Sequence, residues 1–308
     1  MPFLTSGRYR IRYELEGPES GPAYVLVNGL TQYAELWTAY RDALVAKEFR
    51  VATFDLLGQG QSDKPALFIS QADQVDALHQ LIGELGNRPV FLSGISFGGL
   101  IALRYAITHG DRLAGLVPMS SFAELSPQLL LLGNALRTAL ILGGTSYLQD
   151  LLLPMNLSDA WLKPLLGKLD AVKRQGWLVN DVYALQNLME SFIDFEPLTP
   201  QLKLIKAPTM ILNGEFDFLT PRALHETLRV HIPNSSLVII PNAYHAFTLE
   251  KPALTAELLA RFARDVLAGG WQGNKSIFIA PDKPEGALTP FPAGYDHLRA
   301  IPTRVPAA

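Results

Sequence analysis

Gly94-Ile95-Ser96-Phe97-Gly98, entered from the apolar run Pro89-Val90-Phe91-Leu92, is the stretch whose reading decides the fold. A serine in a G-x-S-x-G setting sits on a sharp strand-to-helix turn. The small residues two before and two after it let the backbone turn without a clash, so that Oγ projects from the sheet edge. The pentapeptide is short, and a chain with 24 glycines can carry one by chance. Its meaning depends on whether strand, helix, acid and base fall where the chemistry needs them.

Outward from that turn, short β-rich runs alternate with helix-length amphipathic segments, the pattern of a mostly parallel sheet covered on both faces. Strands are predicted at 2–5, 8–16, 23–28, 50–55, 89–93, 113–119, 208–213 and 236–240, eight in all, the first two forming a hairpin across Ser6-Gly7. Most are continuous Val/Ile/Leu runs, as strands buried on both faces should be. Helices are predicted at about 33–47, 71–85, 97–109, 221–231 and 252–268. The alternation breaks between Ser120 and Pro208, a gap far longer than an ordinary crossover. This Leu-rich stretch, punctuated by Pro127, Gly143-Gly144, Pro154 and Pro164, reads as an inserted helical cap. The organisation expected is a core of residues 1–120 and 208–270, a cap of 121–207, and a Pro/Gly-rich tail of 271–308. The tail, with its short apolar run Ser276-Ile277-Phe278-Ile279, is expected to wrap the surface, meet a partner subunit or stay partly disordered.

Composition sets the outer limits. With 308 residues, 48% of them hydrophobic and 18% charged, the chain can build a large core. A net charge of -3 offers no electrostatic attraction to nucleic acid or an anionic membrane, so neither is expected as a partner. The absence of cysteine removes disulfides, thiolate metal sites and cysteine nucleophiles, and fits a reducing compartment. The N-terminus lacks a basic segment followed by an apolar one, so no signal peptide is read and a cytoplasmic location is expected. The segment 129–144, interrupted by Asn134 and Arg137, is too short to span a bilayer.

A serine hydroxyl is a weak nucleophile at neutral pH and needs a base oriented by a third group. After Ser96 the chain offers Asp217, in Asn213-Gly214-Glu215-Phe216-Asp217, directly after a buried strand. His245 follows 28 residues later, after the last predicted strand. All three lie on loops at the C-terminal ends of strands, the edge where ligands bind in open α/β sheets. Glu215 is the near rival for the acid, with Glu124 and Asp194 more distant ones in the cap. His79, His109, His225, His231 and His297 read as ordinary core or surface residues. Backbone N–H groups of Phe97 and Leu30 are the candidate oxyanion donors, the second from the loop Val27-Asn28-Gly29-Leu30. Asn28, Gly29, Trp161 and Trp177, with the cap leucines, are the candidate substrate contacts. No metal or cofactor is expected.

These residues resemble the α/β-hydrolase superfamily, in its lid-bearing, serine esterase-like branch, over roughly residues 5 to 268. The resemblance rests on five motifs in order. They are Asn28-Gly29, then Asp55-Leu56-Leu57-Gly58-Gln59-Gly60-Gln61-Ser62-Asp63, then Gly94-x-Ser96-x-Gly98-Gly99, then Gly214-Glu215-Phe216-Asp217, and finally His245-x4-Glu250-x-Pro252. It implies an eight-stranded, mostly parallel sheet with helices on both faces and a cap. It also implies a Ser96-His245-Asp217 triad forming an acyl-enzyme on a small-molecule ester, lactone or related acyl bond. The Asp55 motif is structural in that superfamily. Ser96 speaks against epoxide hydrolases and haloalkane dehalogenases, which resemble this layout but use an aspartate nucleophile. Two departures stand out. Most members have His-Gly where this chain has Asn28-Gly29, and Gly-His where it has Tyr244-His245. The Asn-Gly pair and Asn213-Gly214-x-x-Asp217-x-x-Thr220 look like the acyltransferase offshoot that moves 3-hydroxyacyl groups in rhamnolipid and polyhydroxyalkanoate precursor synthesis. A ligand-binding receptor on a retained hydrolase fold is a third reading, and oligomers through the cap or tail are compatible with all three.

Overall fold

The hydrophobic runs of the sequence become the strands of one sheet. The structure, a computed structural model, describes residues 2–291. A hairpin of β1 (Phe3–Ser6) and β2 (Tyr9–Glu16) is followed by alternation. That part comprises β3 (Ala23–Val27), α1 (Thr38–Val45), β4 (Arg50–Phe54), α2 (Gln71–Glu84), β5 (Val90–Ile95), α3 (Phe97–His109) and β6 (Leu113–Met119). Four helices come next without an intervening strand: α4 (Pro127–Asn156), α5 (Asp159–Leu162), α6 (Leu169–Val179) and α7 (Val182–Glu190). The core resumes with β7 (Thr209–Gly214), α8 (Arg222–His231), β8 (Ser235–Ile240), α9 (Phe247–Glu250) and α10 (Pro252–Leu267), then β9 (Asn274–Ile279) and β10 (Thr289–Pro290).

Strand order is β1-β2-β4-β3-β5-β6-β7-β8-β9-β10, parallel from β4 to β9 and antiparallel at both ends. The sheet therefore has ten strands among the described residues where eight are expected from sequence. The two extra strands come from the segment read as tail. β9 continues the parallel ladder on β8 through Leu237↔Ile277, Val238↔Phe278 and Ile239↔Ile279. A four-residue apolar run is too brief to announce a strand, yet its register against β8 buries Ile277. Residues 292–308, the rest of that segment and including His297, lie outside the described residues.

Successive side chains of a strand point to opposite faces, and the central strands use both. In β3, Val25 and Val27 join the core under α2, α3 and α8, whereas Tyr24 and Leu26 join the one under α1 and α10. Tyr24 stacks on Phe91 and donates its hydroxyl to the Leu259 carbonyl at 2.6 Å, so a fully buried polar tip is satisfied. Burying a side chain of this kind contributes on the order of 2 kcal/mol.

Helix α4 departs most from expectation. Ser126 caps it by accepting from Leu129 N, Pro127 supplies a first-turn residue with no N–H to satisfy, and it runs 30 residues instead of ending near 144. At Gly144 (φ 64°, ψ -163°) the backbone leaves the helical region and bends. Taken as a whole, the bent run is long and apolar enough to cross a membrane by length and composition, because it extends past the 129–144 segment read from the sequence. Here it buries Leu136, Ala139, Leu140, Thr145 and Leu148, while Leu131 and Leu142 face outward.

Candidate active site

Close backbone approach builds the turn at Ser96. A Cβ at Gly94 would overlap the Gly98 carbonyl, and one at Gly98 would overlap the carbonyls of Val27 and Asn28. Neither position tolerates a side chain, which is why the sequence has glycine at both. Ser96 itself takes φ 54° and ψ -118°, a conformation that costs a non-glycine residue roughly 1–3 kcal/mol. The surroundings hold it there. Ser96 N–H donates to the Met119 carbonyl at 2.8 Å, and the Ser96 carbonyl accepts from Ser121 Oγ at 2.9 Å. Helix α3 begins at the next residue, so its positive N-terminal end lies at the serine.

His245 and Asp217 meet at the same sheet edge. His245 Nδ1–H donates to Asp217 Oδ1 at 2.9 Å and Oδ2 at 3.0 Å. A carboxylate only accepts, so Nδ1 carries the proton and Nε2 is left as the basic nitrogen. Asp217 also receives the Thr220 N–H at Oδ1 and the Thr220 hydroxyl at Oδ2, each at 2.8 Å. Burial pushes the Asp217 carboxyl up, but the charge and hydrogen bond of His245, the His225 ring and the Thr220 amide outweigh it and hold the group below its ordinary value. Glu215, the rival acid, instead accepts from Asn242 N–H at 2.8 Å. Glu124 accepts from the Thr199 hydroxyl at 2.7 Å.

Ser96, His245, Phe97 and Leu30 line one cavity of about 680 Å³ between the sheet edge and helices α4 to α7. Ser96 Oγ and His245 do not hydrogen-bond to each other in this structure, though both face the same cavity. The N–H groups of Leu30 and Phe97 make no hydrogen bond among the described residues. The neighbouring Gly29 N–H is already engaged by Gln32 Oε1 at 2.9 Å. Gly29 and Trp161 line the cavity, as do Leu129, Leu130, Leu132, Leu152 and Leu153 of α4.

Two of the candidate substrate contacts lie elsewhere. Asn28 is fully buried beneath the loop, its Oδ1 accepting from Trp37 Nε1 at 2.7 Å and its Nδ2 donating to the Phe54 carbonyl at 2.9 Å. It braces the loop and touches no substrate space. Trp177 sits on the outer side of α6, half exposed, and does not line the cavity. Other side chains brace the site, with contacts that only the fold reveals. The buried carboxylate of Asp55 accepts from the Ala34 and Gln61 amides, each at 2.8 Å. Glu250 Oε1 accepts from Ser158 N–H at 2.5 Å, tying the start of α5 to the segment after His245; the His-x4-Glu spacing was the available signal. His225, fully buried on α8, accepts the Ser121 N–H at Nε2 at 3.0 Å and faces the Pro221 carbonyl with Nδ1 at 3.3 Å. Burial pushes its pKa down to about 4. Among the described residues no cluster of three or more His, Asp or Glu is placed to hold a metal ion.

Comparison with known proteins agrees with this architecture. Residues 19–252 match the family model described as serine aminopeptidase, S33. A putative 2-succinyl-6-hydroxy-2,4-cyclohexadiene-1-carboxylate synthase from Bacillus subtilis (strain 168) is 27% identical over 274 residues, 83% of this chain and 96% of its own. A pimeloyl-[acyl-carrier protein] methyl ester esterase from Nitrosomonas europaea is 23% identical, over 77% of this chain and 94% of its own. Among solved structures, a thermophilic esterase from Thermogutta terrifontis superposes with a TM-score of 0.75 at 26% identity, over 85% of this chain and 96% of its own. The enol-lactonase from Burkholderia xenovorans LB400 superposes at 0.77 with 22% identity, over 85% and 100%, a likeness of fold. This chain belongs to the serine aminopeptidase S33 family and is an α/β-hydrolase enzyme.

Proposed function

We propose that the chain is a serine hydrolase of carboxylic esters or lactones working through an acyl-enzyme. The observation that carries this reading is the buried His245–Asp217 pair, at 2.9 Å, opening into the same cavity as Ser96 on its strained turn. Ser96 Oγ attacks the carbonyl carbon while His245 Nε2 takes its proton. The oxyanion is held by the N–H groups of Leu30 and Phe97, donors that no other group occupies among the described residues. His245 then returns the proton to the leaving oxygen. Water, activated by the same nitrogen, releases the acid and restores Ser96. Asp217 keeps the histidine tautomer and stabilises the imidazolium, and Thr220 fixes the carboxylate by two hydrogen bonds.

Labelling with a fluorophosphonate probe tests this directly. Wild type should be labelled and Ser96→Ala should not. Absence of label on folded wild-type protein would overturn the nucleophile assignment. Preference for ester release to water over transfer to a hydroxy-acid acceptor then separates hydrolysis from the acyl transfer that Asn28-Gly29 suggests. The burial of Asn28 removes that residue from contact with any acceptor, which favours water.

A further inference from the structure

The cavity is apolar over most of its wall, yet helix α4 places three primary amides in it, Asn134 and, farther along, Gln149 and Asn156. Gln149 and Asn156 stand seven residues apart, with Leu152 and Leu153 between them, and all four line the cavity. Spacings of three, four and seven put them on one helix face. Gln149 Oε1 and Asn156 Oδ1 are both sealed from solvent and accept no hydrogen bond among the described residues. An acceptor in that condition is expensive to keep, an apolar residue of the same size would serve packing better, and a turn about the soft terminal torsion is what brings the amide group to the cavity.

The fold moors the helix that carries the amides. The backbone carbonyl of Asn156 accepts from Ala246 N–H at 2.9 Å, so this end of the stripe is tied to the residue after His245. Gln149 lies against Gly176 of α6, where a Cβ would overlap its amide nitrogen. Glycine is the poorest helix former apart from proline, and at this interior helical position it provides room for the glutamine head. Arg137, which also lines the cavity, is paired with Glu190 at 2.8 Å and leaves no uncompensated charge.

We infer that Gln149 and Asn156 form a subsite for an uncharged hydroxyl or amide group on the substrate, a specificity that rests on the ester-hydrolase reading of Ser96. Seven helical residues rise about 10 Å, so Asn156 meets a polar atom at the reacting end. Gln149 meets one at the far end of an apolar segment of medium length. The substrate class is an ester or lactone of a medium-chain acid that carries a hydroxyl or amide remote from its carbonyl. A site built to hydrogen-bond such a group discriminates against the analogue that lacks it.

The test compares methyl octanoate with its terminally hydroxylated analogue, both as kcat/KM in wild type and as calorimetric affinity for Ser96→Ala. Wild type should favour the hydroxylated ester, and Gln149→Leu should lower the ratio of the two kcat/KM values by about tenfold, the worth of one hydrogen bond between uncharged groups. Gly176→Ala should lower it too, by displacing the glutamine without altering it. An unchanged ratio in both variants overturns the subsite. Should wild type fail to take the fluorophosphonate label while Ser96→Ala still prefers the hydroxylated ester, the subsite stands and the hydrolase reading falls. Equal affinity of Ser96→Ala for the two esters overturns the subsite whatever the label shows.

Discussion

Acid should destabilise this protein through a histidine that takes no part in the proposed chemistry. His225 is fully buried, and its Nε2 is occupied as the acceptor of Ser121 N–H, so a proton can enter only by breaking that bond. Burial lowers its pKa to about 4, against about 6.5 for an imidazole in the unfolded chain. Between these values the unfolded chain binds a proton that the folded one refuses. Its contribution is therefore complete above about pH 6.5 and is lost progressively as the pH falls toward 4. A gap of about 2.5 units at about 1.4 kcal/mol each amounts to roughly 3 kcal/mol, a large share of the usual 5–15 kcal/mol of a folded domain. Asp217, whose pKa is lowered, loses its own contribution only as pH falls below the ordinary carboxylate value, beneath most of this window. His225→Gln keeps a donor and an acceptor but cannot titrate. Urea unfolding across about pH 4.5 to 7 should show wild type losing up to about 1.4 kcal/mol more per pH unit than the variant in the middle of the window. Parallel curves for the two proteins would refute the reasoning.

Two further outcomes follow from the site. Asp217→Asn should leave unfolding free energy within a few kcal/mol of wild type but lower kcat about 10⁴-fold, because an amide no longer selects the histidine tautomer; steady-state ester hydrolysis checks it, and a loss of less than tenfold would remove Asp217 from the triad. Trp37→Phe should destabilise by about 1–3 kcal/mol, since it orphans the buried Oδ1 of Asn28. It should also lower kcat by slackening the Leu30 loop, and a fall in stability with unchanged kcat would separate the brace from the oxyanion loop.

The core was legible because its signals are local. A strand buried on both faces is a run of aliphatic residues, and Gly94 and Gly98 mark the turn wherever they occur. The order Ser96, Asp217, His245 could be read because each follows such a run. What was lost depends on partners remote in sequence. An asparagine beside a glycine reads as loop, and only Trp37 and Phe54, brought in by the fold, make Asn28 a buried brace. Trp177 misled because the apolar residues of α6 do not reveal which side of the helix faces the cavity. The helix break at Gly144 was visible as a Gly-Gly pair, but nothing local said that the chain resumes as helix beyond it. Thr220 stood in a noted pattern without a role, and its two bonds to Asp217 appear only once the loop closes.

Strand β9 has a consequence for anyone who shortens this chain. The family match ends at residue 252, and trimming after α10 would look harmless. Yet β8, whose six residues are all buried, would then become the border of the sheet. Its amides and carbonyls would face outward unpaired along a strand that ends in Leu237-Val238-Ile239-Ile240, a ready template for a second chain. The last ladder covers that edge, and a truncated form should precipitate or pair edge to edge even with Ser96, Asp217 and His245 untouched.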